Sequence, residues 1–249
     1  MKEVITVINQ KGGVGKSTTV QNIGTGLKHL HKKKVLFIDL DAQGNLSYSL
    51  GANMQHLNSF DVITGSCNTK EAIQKTPQGD LICSSPSLSN ADSHLKDTGK
   101  EFKLREALEP IRNEYDYIII DTPPSLGILS INALTASDSV IIPSQADIFS
   151  LQGIGQLANT IEVVKKYCNP NLTIKGLVLT RYSSRSVLSR DIANMLDATA
   201  KQLNTKLFST TIREGIAIKE AQANKENLYT YAPKSNPAID YKNLVKEVI

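Results

Sequence analysis

Two lysines and a cluster of glycines near the start of the chain have the spacing of a phosphate-binding loop. The segment reads Asn9-Gln10-Lys11-Gly12-Gly13-Val14-Gly15-Lys16-Ser17-Thr18. Glycines let a phosphate approach the backbone, so that several amide N–H groups can bind it. Lys16 would supply a positive charge to the β- and γ-phosphates, and the Ser17 hydroxyl suits Mg²⁺. The segment therefore predicts a site for a nucleoside triphosphate.

The flanking sequence predicts the elements that such a loop needs. The apolar run Val4–Ile8 is rich in β-branched residues and too short for a helix, which indicates a buried strand. After the loop, apolar residues recur at helical spacing, so we expect a helix over Ser17–Leu30. A helix N-terminus adds free N–H groups and a positive dipole end for a phosphate. A flexible turn with solvated lysines is the alternative interpretation.

Three aspartates follow two further predicted strands. Asp39 and Asp41 come after Val35–Ile38, and Asp121 ends the run Tyr117–Ile120. In an open α/β sheet, ligands bind beyond the carboxyl ends of the strands, so these carboxylates can face the phosphate loop. We expect Asp121 to hold Mg²⁺ through water. The alternative is a capping role for Asp39 and Asp41 and an ordinary strand end at Asp121.

The alternation of strands and helices predicts an α/β fold. We expect one domain over residues 1–249, with a mostly parallel sheet, helices on both faces and the P-loop NTPase fold. Residues 46–99 have weak signals, which suggest short helices at Ser47–Leu50 and Thr69–Lys75 and a strand at Leu81–Cys83. A late helix after Ser183 is predicted to bury Leu188, Ile192, Met195, Leu196 and Leu203.

The composition is typical of a globular protein, with 40% hydrophobic and 21% charged residues. The three cysteines are scattered and none has metal-site spacing, which favours a reducing compartment. No apolar run is as long as the ~18–20 residues of a membrane span, so we expect a cytoplasmic protein. The tract His31–Lys34 is interpreted as a solvated loop that closes the first helix.

Basic residues are concentrated late in the chain. The formal net charge is only +4, but residues 165–225 contain eleven Lys and Arg against four Asp and Glu. This segment therefore carries +7, and the remainder carries −3. The two alternatives are a solvated basic surface and a surface for a polyanion.

The loop departs from the general P-loop pattern, because Gln10 replaces a glycine and Lys11 is added. This form resembles the deviant Walker A motif of the ParA/MinD ATPases, in which the first lysine is the signature lysine. The run from Asp39 to Asn45 resembles switch I of ParA proteins, and Asp121-Thr122-Pro123-Pro124 resembles their switch II. Similarity also extends over residues 174–249.

The resemblance implies roles for individual residues. ATP and Mg²⁺ would be the cofactors, and Asp41 would position the attacking water while Asp39 supports the metal site. Lys11 of each subunit would reach the phosphates of the other subunit in a homodimer. Thr180 and Arg181 would contact the base.

The resemblance also implies a DNA-partitioning function in a short form without an N-terminal helix-turn-helix domain. The ATP-bound dimer would bind DNA non-specifically, and hydrolysis stimulated by a ParB-like centromere-binding partner would release it. The candidate DNA-binding residues are Arg185, Arg190, Lys201, Arg213 and Lys219.

Two other functions have weaker support. A MinD-like regulator would need a basic amphipathic tail that enters a membrane, but residues 239–249 contain Asp240 and Glu247 and lack Phe and Trp. We therefore expect no membrane partner. A metabolic relative, such as an iron–sulfur or synthetase member of the superfamily, finds no support in the scattered cysteines.

Overall fold

A computed structural model describes residues 2–183 and 187–249. Its described residues contain one seven-stranded sheet, in the spatial order β3-β4-β2-β5-β1-β6-β7. The strands are β1 (Glu3–Val7), β2 (Val35–Asp39), β3 (Ile73–Thr76), β4 (Gly79–Ile82), β5 (Tyr117–Asp121), β6 (Ser139–Ser144) and β7 (Thr173–Leu179). Only β3 runs antiparallel to its neighbour within this described sheet. The mostly parallel sheet is thus confirmed.

The helices connect these strands and cover the sheet. They are α1 (Lys16–His31), α2 (Asn45–Ser49), α3 (Ser59–Thr64), α4 (Ala91–His94), α5 (Lys103–Leu108), α6 (Ile128–Ala136), α7 (Ile148–Tyr167), α8 (Val187–Gln202), α9 (Ile216–Ala223), α10 (Leu228–Tyr231) and α11 (Asn236–Val248). Short 3₁₀ helices span Thr69–Ala72, Pro86–Asn90, Lys100–Phe102 and Arg112–Glu114.

Helices pack on both faces of the sheet, as predicted. On one face, α1 and α11 bury apolar side chains against β1, β2 and β5. On the other, α3, α5 and α6 cover the same central strands, while α7 and α8 cover β6 and β7. Close packing requires Gly24 in α1, because a Cβ atom there would lie 2.2 Å from the Phe37 ring. This contact fixes α1 on β2 and so sets the position of the loop before α1.

Two sequence predictions are wrong in detail. The expected helix over Thr69–Lys75 is a 3₁₀ turn followed by β3, because Ile73–Thr76 pairs with β4 in a hairpin. In α8, Leu188 and Met195 are 67% and 50% exposed instead of buried, whereas Ile192 and Leu196 are buried. Helix α8 lies at the margin of the sheet, where only one narrow stripe contacts α7 and β7.

Candidate nucleotide-binding site

The predicted phosphate loop joins β1 to α1 at the carboxyl edge of the sheet. Gly13 and Gly15 have φ angles of +74° and +87°, which other residues rarely adopt. Within the described chain, no side chain caps the start of α1, and its first turn has no acidic residue. The first N–H groups of α1 are therefore free for an anion, and the helix dipole favours one there.

Lys16 is buried at the first position of α1, with only 7% of its surface exposed. Its Nζ donates a hydrogen bond of 3.2 Å to the carbonyl of Lys11. Burial lowers the pKa of Lys16, and the charges of Asp121 and Asp41 offset part of this shift. A buried ammonium group needs a charged partner, and a phosphate at the start of α1 would provide one.

Asp39 and Asp121 are opposite each other in the register of β2 and β5, and both are buried. Oδ1 of Asp121 accepts a hydrogen bond of 3.1 Å from the Thr122 amide, while Oδ2 has no partner among the described residues. Burial and the charge of Asp39 raise the pKa of Asp121 well above its usual value, although a polar interaction with the Ser17 hydroxyl, too weak in geometry to count as a hydrogen bond, lowers it in part. The unpartnered oxygen is thus a destabilising feature of the free protein.

Asp39 differs from Asp121 because both of its oxygens have partners. Oδ2 accepts hydrogen bonds from the Ser47 amide and hydroxyl at 2.9 and 2.7 Å, and Oδ1 accepts one from the Asp41 amide at 3.1 Å. Burial nevertheless raises the pKa of Asp39 to about 6. Asp39 therefore ties the start of α2, including Ser47, to the end of β2.

Asp41 lies between these anchors and the phosphate loop. It is almost completely buried, and its Oδ1 accepts a hydrogen bond of 3.1 Å from the Gln43 amide. Its carbonyl accepts a short hydrogen bond from the Ser84 hydroxyl. Asp41 also lines the cavity that contains Lys16 and Ser17. Its backbone is thus fixed while its side chain borders the expected phosphate position.

The residues at the loop fit Mg²⁺. The unpartnered Oδ2 of Asp121 is close to Ser17, and a cation would relieve the repulsion among Asp39, Asp41 and Asp121. No group of three or more His, Cys, Asp and Glu side chains forms a metal cage within the described ranges. This also suits Mg²⁺, which is commonly held by one or two protein groups together with phosphates and water.

Lys11 forms an ion pair with an aspartate outside the phosphate loop. Its Nζ lies 2.6 Å from Oδ2 of Asp147, the N-cap residue of α7. Asp147 also accepts hydrogen bonds from the Ser150 amide and hydroxyl at 3.1 and 3.0 Å. Burial alone would raise the pKa of Asp147, but the Lys11 and Ser150 hydrogen bonds lower it overall. The sequence analysis did not identify Asp147, although Asp followed three residues later by Ser is a possible capping signal.

Two adjoining cavities lie beside α1. The larger, of about 460 Å³, contains the loop glycines, Lys16, Ser17 and Asp41. The smaller, of about 200 Å³, is lined by Val14, Gly15, Thr18, Thr180, Arg181, Ile212, Gln222 and Tyr241, among others. Arg181 lines both cavities and has a left-handed φ of +50°. The predicted phosphate-binding residues line the larger cavity, and the predicted base contacts line the smaller one.

The predicted base contacts Thr180 and Arg181 both lie at the smaller cavity, but Thr180 has a second role. Its hydroxyl donates a hydrogen bond of 2.8 Å to the carbonyl of Val14 and so holds the phosphate loop against β7. Two residues missed by the sequence analysis also contact α1. The Gln222 amide donates to Thr18 Oγ1 at 3.3 Å, and the Tyr241 hydroxyl lies 3.2 Å from Thr19 Oγ1. No local pattern signals these distant residues.

The candidate DNA-binding residues are distributed over two regions. Arg190 and Lys201 are exposed on α8, where Lys201 pairs with Asp197 at 2.6 Å. Arg213 and Lys219 instead line the smaller cavity. Arg213 binds Asp240 with two hydrogen bonds, of 2.9 and 2.6 Å, so its charge is already compensated. Arg185 lies outside the described residues.

No helix in residues 2–183 or 187–249 is both long and apolar enough to cross a membrane.

Comparisons with known proteins agree with the architecture of this site. A family model described as an AAA domain matches residues 2–174. The sporulation initiation inhibitor protein Soj of Bacillus subtilis is 38% identical over 253 residues, which cover 100% of this chain and 98% of Soj. The chromosome partitioning protein ParA of Caulobacter vibrioides is also 38% identical, over 99% of this chain and 93% of its own length.

A solved structure has a closely similar fold. It is that of cobyrinic acid a,c-diamide synthase from Mycobacterium smegmatis with a bound ATP analogue and magnesium, and it is 33% identical to this chain. The TM-score is 0.85, and the match covers 99% of this chain and 93% of that one. With the phosphate loop, the aspartates and full-length similarity to Soj and ParA, the chain belongs to the ParA/Soj family of P-loop proteins.

Proposed function

We propose that this protein is a Mg²⁺-dependent ATPase that partitions DNA, as a plasmid or chromosome segregation protein. The observation that carries the proposal is the buried Lys16 beside an uncapped helix start and the unpartnered Oδ2 of Asp121. These groups form a preorganised acceptor for a Mg²⁺-bound triphosphate. Similarity to Soj and ParA along the whole chain supports the partitioning role.

Each residue at the loop has a distinct part in the proposed hydrolysis. The backbone amides of residues 12–18 and the Lys16 ammonium bind the phosphates, and Thr180 holds the loop in place through Val14. Ser17 and Asp121 would hold Mg²⁺, which neutralises phosphate charge when bound. Asp41 orients the attacking water. Asp39 acts on the site through its hydrogen bonds to Ser47 and the Asp41 amide.

The proposed active form is a homodimer in which Lys11 binds the phosphates of the second subunit. Within one subunit, Lys11 is instead paired with Asp147 at the start of α7. Dimer formation would therefore exchange Asp147 for a phosphate as the partner of Lys11. The exposed Ile148 and Phe149 next to Asp147 are placed to be covered in that dimer. Nucleotide state thereby controls assembly.

The dimer would bind DNA through phosphate contacts, without reading sequence. Arg190, Lys201 and Lys219 are exposed, and the pairing of Lys201 with Asp197 is accessible to solvent. A ParB-like partner would stimulate hydrolysis and release the DNA. The proposed basal turnover is slow, because a switch ATPase depends on its partner to complete the site.

Titration of a non-specific DNA duplex tests this function directly. Binding is measured with ATP, with ADP and without nucleotide, at about 50 and 200 mM salt, since phosphate contacts weaken with salt. We expect ATP to strengthen DNA binding, and we expect Lys16→Ala to lose this effect of ATP because it cannot bind the nucleotide. An affinity for DNA that ATP does not raise, or no binding at all at low salt, would contradict the proposal.

Two further assays separate the alternatives. Binding to anionic vesicles with ATP would favour a membrane-cycling regulator, although residues 239–249 lack the Phe and Trp of such a tail. The Mycobacterium smegmatis synthase raises a second possibility, namely that ATP drives the formation of an amide. Turnover that requires an acceptor substrate, rather than DNA and a protein partner, would favour that reading.

A further inference from the structure

A groove lined with lysines lies at the opposite edge of the sheet from the phosphate loop. It has a volume of about 390 Å³ and is formed where α1 ends, where β2 begins and where the β3–β4 hairpin turns. Five lysines line it: Lys28, Lys32, Lys33, Lys34 and Lys75. Because β2 begins at this groove and ends at Asp39, the groove and the nucleotide site face opposite directions.

The acidic groups around the groove are already engaged. Asp80 accepts hydrogen bonds from Lys75 Nζ at 2.6 Å and from the Tyr115 hydroxyl at 2.7 Å. Glu114 pairs with Lys70 at 2.6 Å, and Asp116 accepts a hydrogen bond from the Lys34 amide. Asp80 and Glu114 are thus paired with lysines, and Asp116 is hydrogen-bonded to a backbone amide.

The remaining lysines lack carboxylate partners within the described ranges. Lys28 Nζ donates to the Pro77 carbonyl at 2.9 Å, and Lys34 Nζ lies 4.8 Å from the centre of the Tyr115 ring. Lys32 and Lys33 form no ion pair among the described residues. Burial, and then the charges of Lys28 and Lys32, lower the pKa of His29. The groove therefore has an excess of positive charge.

The chemistry of the groove favours a polyanion over a small ligand. It contains no arginine to bind one phosphate with two parallel hydrogen bonds, whereas lysines act as flexible point charges along a backbone. A membrane surface fits less well, because Leu30, 37% exposed, is the single large exposed apolar residue among residues 28–34.

We propose that this groove is a second DNA-binding site, which contacts backbone phosphates on the side of the protein away from the nucleotide. The inference rests on the proposed DNA-partitioning function but not on the residues given to it above. The groove is fully formed in one subunit. It should therefore bind DNA weakly without nucleotide, whereas the late basic residues act in the ATP-bound dimer. In that dimer, both grooves would face outward.

The test uses the double variant Lys32→Asn/Lys33→Gln. Asparagine tolerates the left-handed backbone of Lys32, whose φ is +57°, so the end of α1 is preserved. The matched control is Lys96→Gln/Lys100→Gln, which removes the same charge beside the helices on the opposite face. DNA binding is measured with and without ATP between 50 and 200 mM salt, and ATP-dependent dimerisation is followed by light scattering.

Two phosphate contacts contribute about 1.8 to the slope of log affinity against log salt. At 50 mM salt we therefore expect the double variant to lose nucleotide-independent binding. Over the fourfold rise in salt, its ATP-dependent affinity should fall about tenfold less than that of the parent. The control should behave like the parent, and both variants should dimerise normally.

An unchanged slope together with unchanged nucleotide-free binding would overturn the second site while leaving ATP-dependent DNA binding intact. If ATP does not strengthen DNA binding by the parent protein, that result would count against the proposed function. Nucleotide-free binding that depends on Lys32 and Lys33 would still support the groove as a DNA-binding site. Binding of this groove to vesicles with anionic lipid, but not to DNA, would assign it to a membrane and contradict the proposal.

Discussion

Asp121→Asn should stabilise the nucleotide-free protein while removing its response to Mg²⁺-ATP. Oδ2 of Asp121 is buried without a hydrogen-bond partner, and Asp39 and Asp41 place further negative charge nearby. A buried unpaired polar group costs about 1–3 kcal/mol, and a charged one costs more. The asparagine retains the acceptor for the Thr122 amide and places a donor in this negative field.

The expected gain is about 2 kcal/mol in the free energy of unfolding at pH 7.5, which raises the melting temperature by about 4–8 °C in a domain of this size. When the Mg²⁺-ATP concentration is one hundred times its dissociation constant, the free energy of unfolding of the parent protein should rise by about 2.7 kcal/mol. The variant should lose most of that gain, because it lacks the carboxylate proposed to hold Mg²⁺. Denaturant unfolding with and without Mg²⁺-ATP measures both quantities.

Asp39→Asn is the matched control at the opposite position in the sheet. Both oxygens of Asp39 accept hydrogen bonds, so an amide nitrogen would face the donors of Ser47 or the amide of Asp41. These mismatched contacts oppose the gain from removing a buried charge, so we expect little net change in stability at pH 7.5 rather than a gain of about 2 kcal/mol. If Asp121→Asn lowers the stability of the nucleotide-free protein, or keeps the full response to Mg²⁺-ATP, the role assigned to the unpartnered oxygen is wrong.

Three other predictions address protonation, assembly and turnover. The pKa of Asp39 is about 6 in the folded protein, against 3.8 as its ordinary value. Its contribution to stability should fall by about 2 kcal/mol as the pH rises from 4 to 6, and Asp39→Asn should lack this fall in pH-dependent denaturation. Asp147→Asn should keep the cap on α7 but release Lys11, so that dimerisation requires up to about fivefold less ATP in light scattering, since an exposed ion pair contributes at most about 1 kcal/mol. An unchanged ATP requirement would show that this ion pair does not restrain assembly. Asp41→Ala should retain ATP-dependent dimerisation and DNA binding but lose phosphate release; parental turnover would remove Asp41 from its proposed role.

The local sequence was sufficient to predict the phosphate loop and the central strands. Few structures other than a phosphate loop fit this spacing of glycines and lysines between a β-branched strand and an amphipathic helix. The elements β1, α1, β2 and β5 lie where the pattern predicts. The carboxylates Asp39 and Asp121 were predictable for the same reason, because each ends a continuous apolar run. Parallel strands then bring their carboxyl ends to one edge.

Tertiary structure decided what local pattern could not specify. The strand at Ile73–Thr76 exists because a neighbouring strand supplies its hydrogen bonds, and α8 exposes Leu188 and Met195 because it lies at the sheet margin. The partners of Lys11 and Arg213 are Asp147 and Asp240, each separated from its partner by at least 27 residues.

The same distinction applies to charge. The sequence alone predicts a triphosphate site at Lys16, because the loop and its helix are contiguous in the chain. It also determined the number of lysines at residues 28–34. Only the fold placed Lys75 beside them, because the β3–β4 hairpin returns to the end of α1. Only the fold left Asp121 Oδ2 without a partner while it gave partners to both oxygens of Asp39, because burial and hydrogen bonding depend on residues that are distant in sequence.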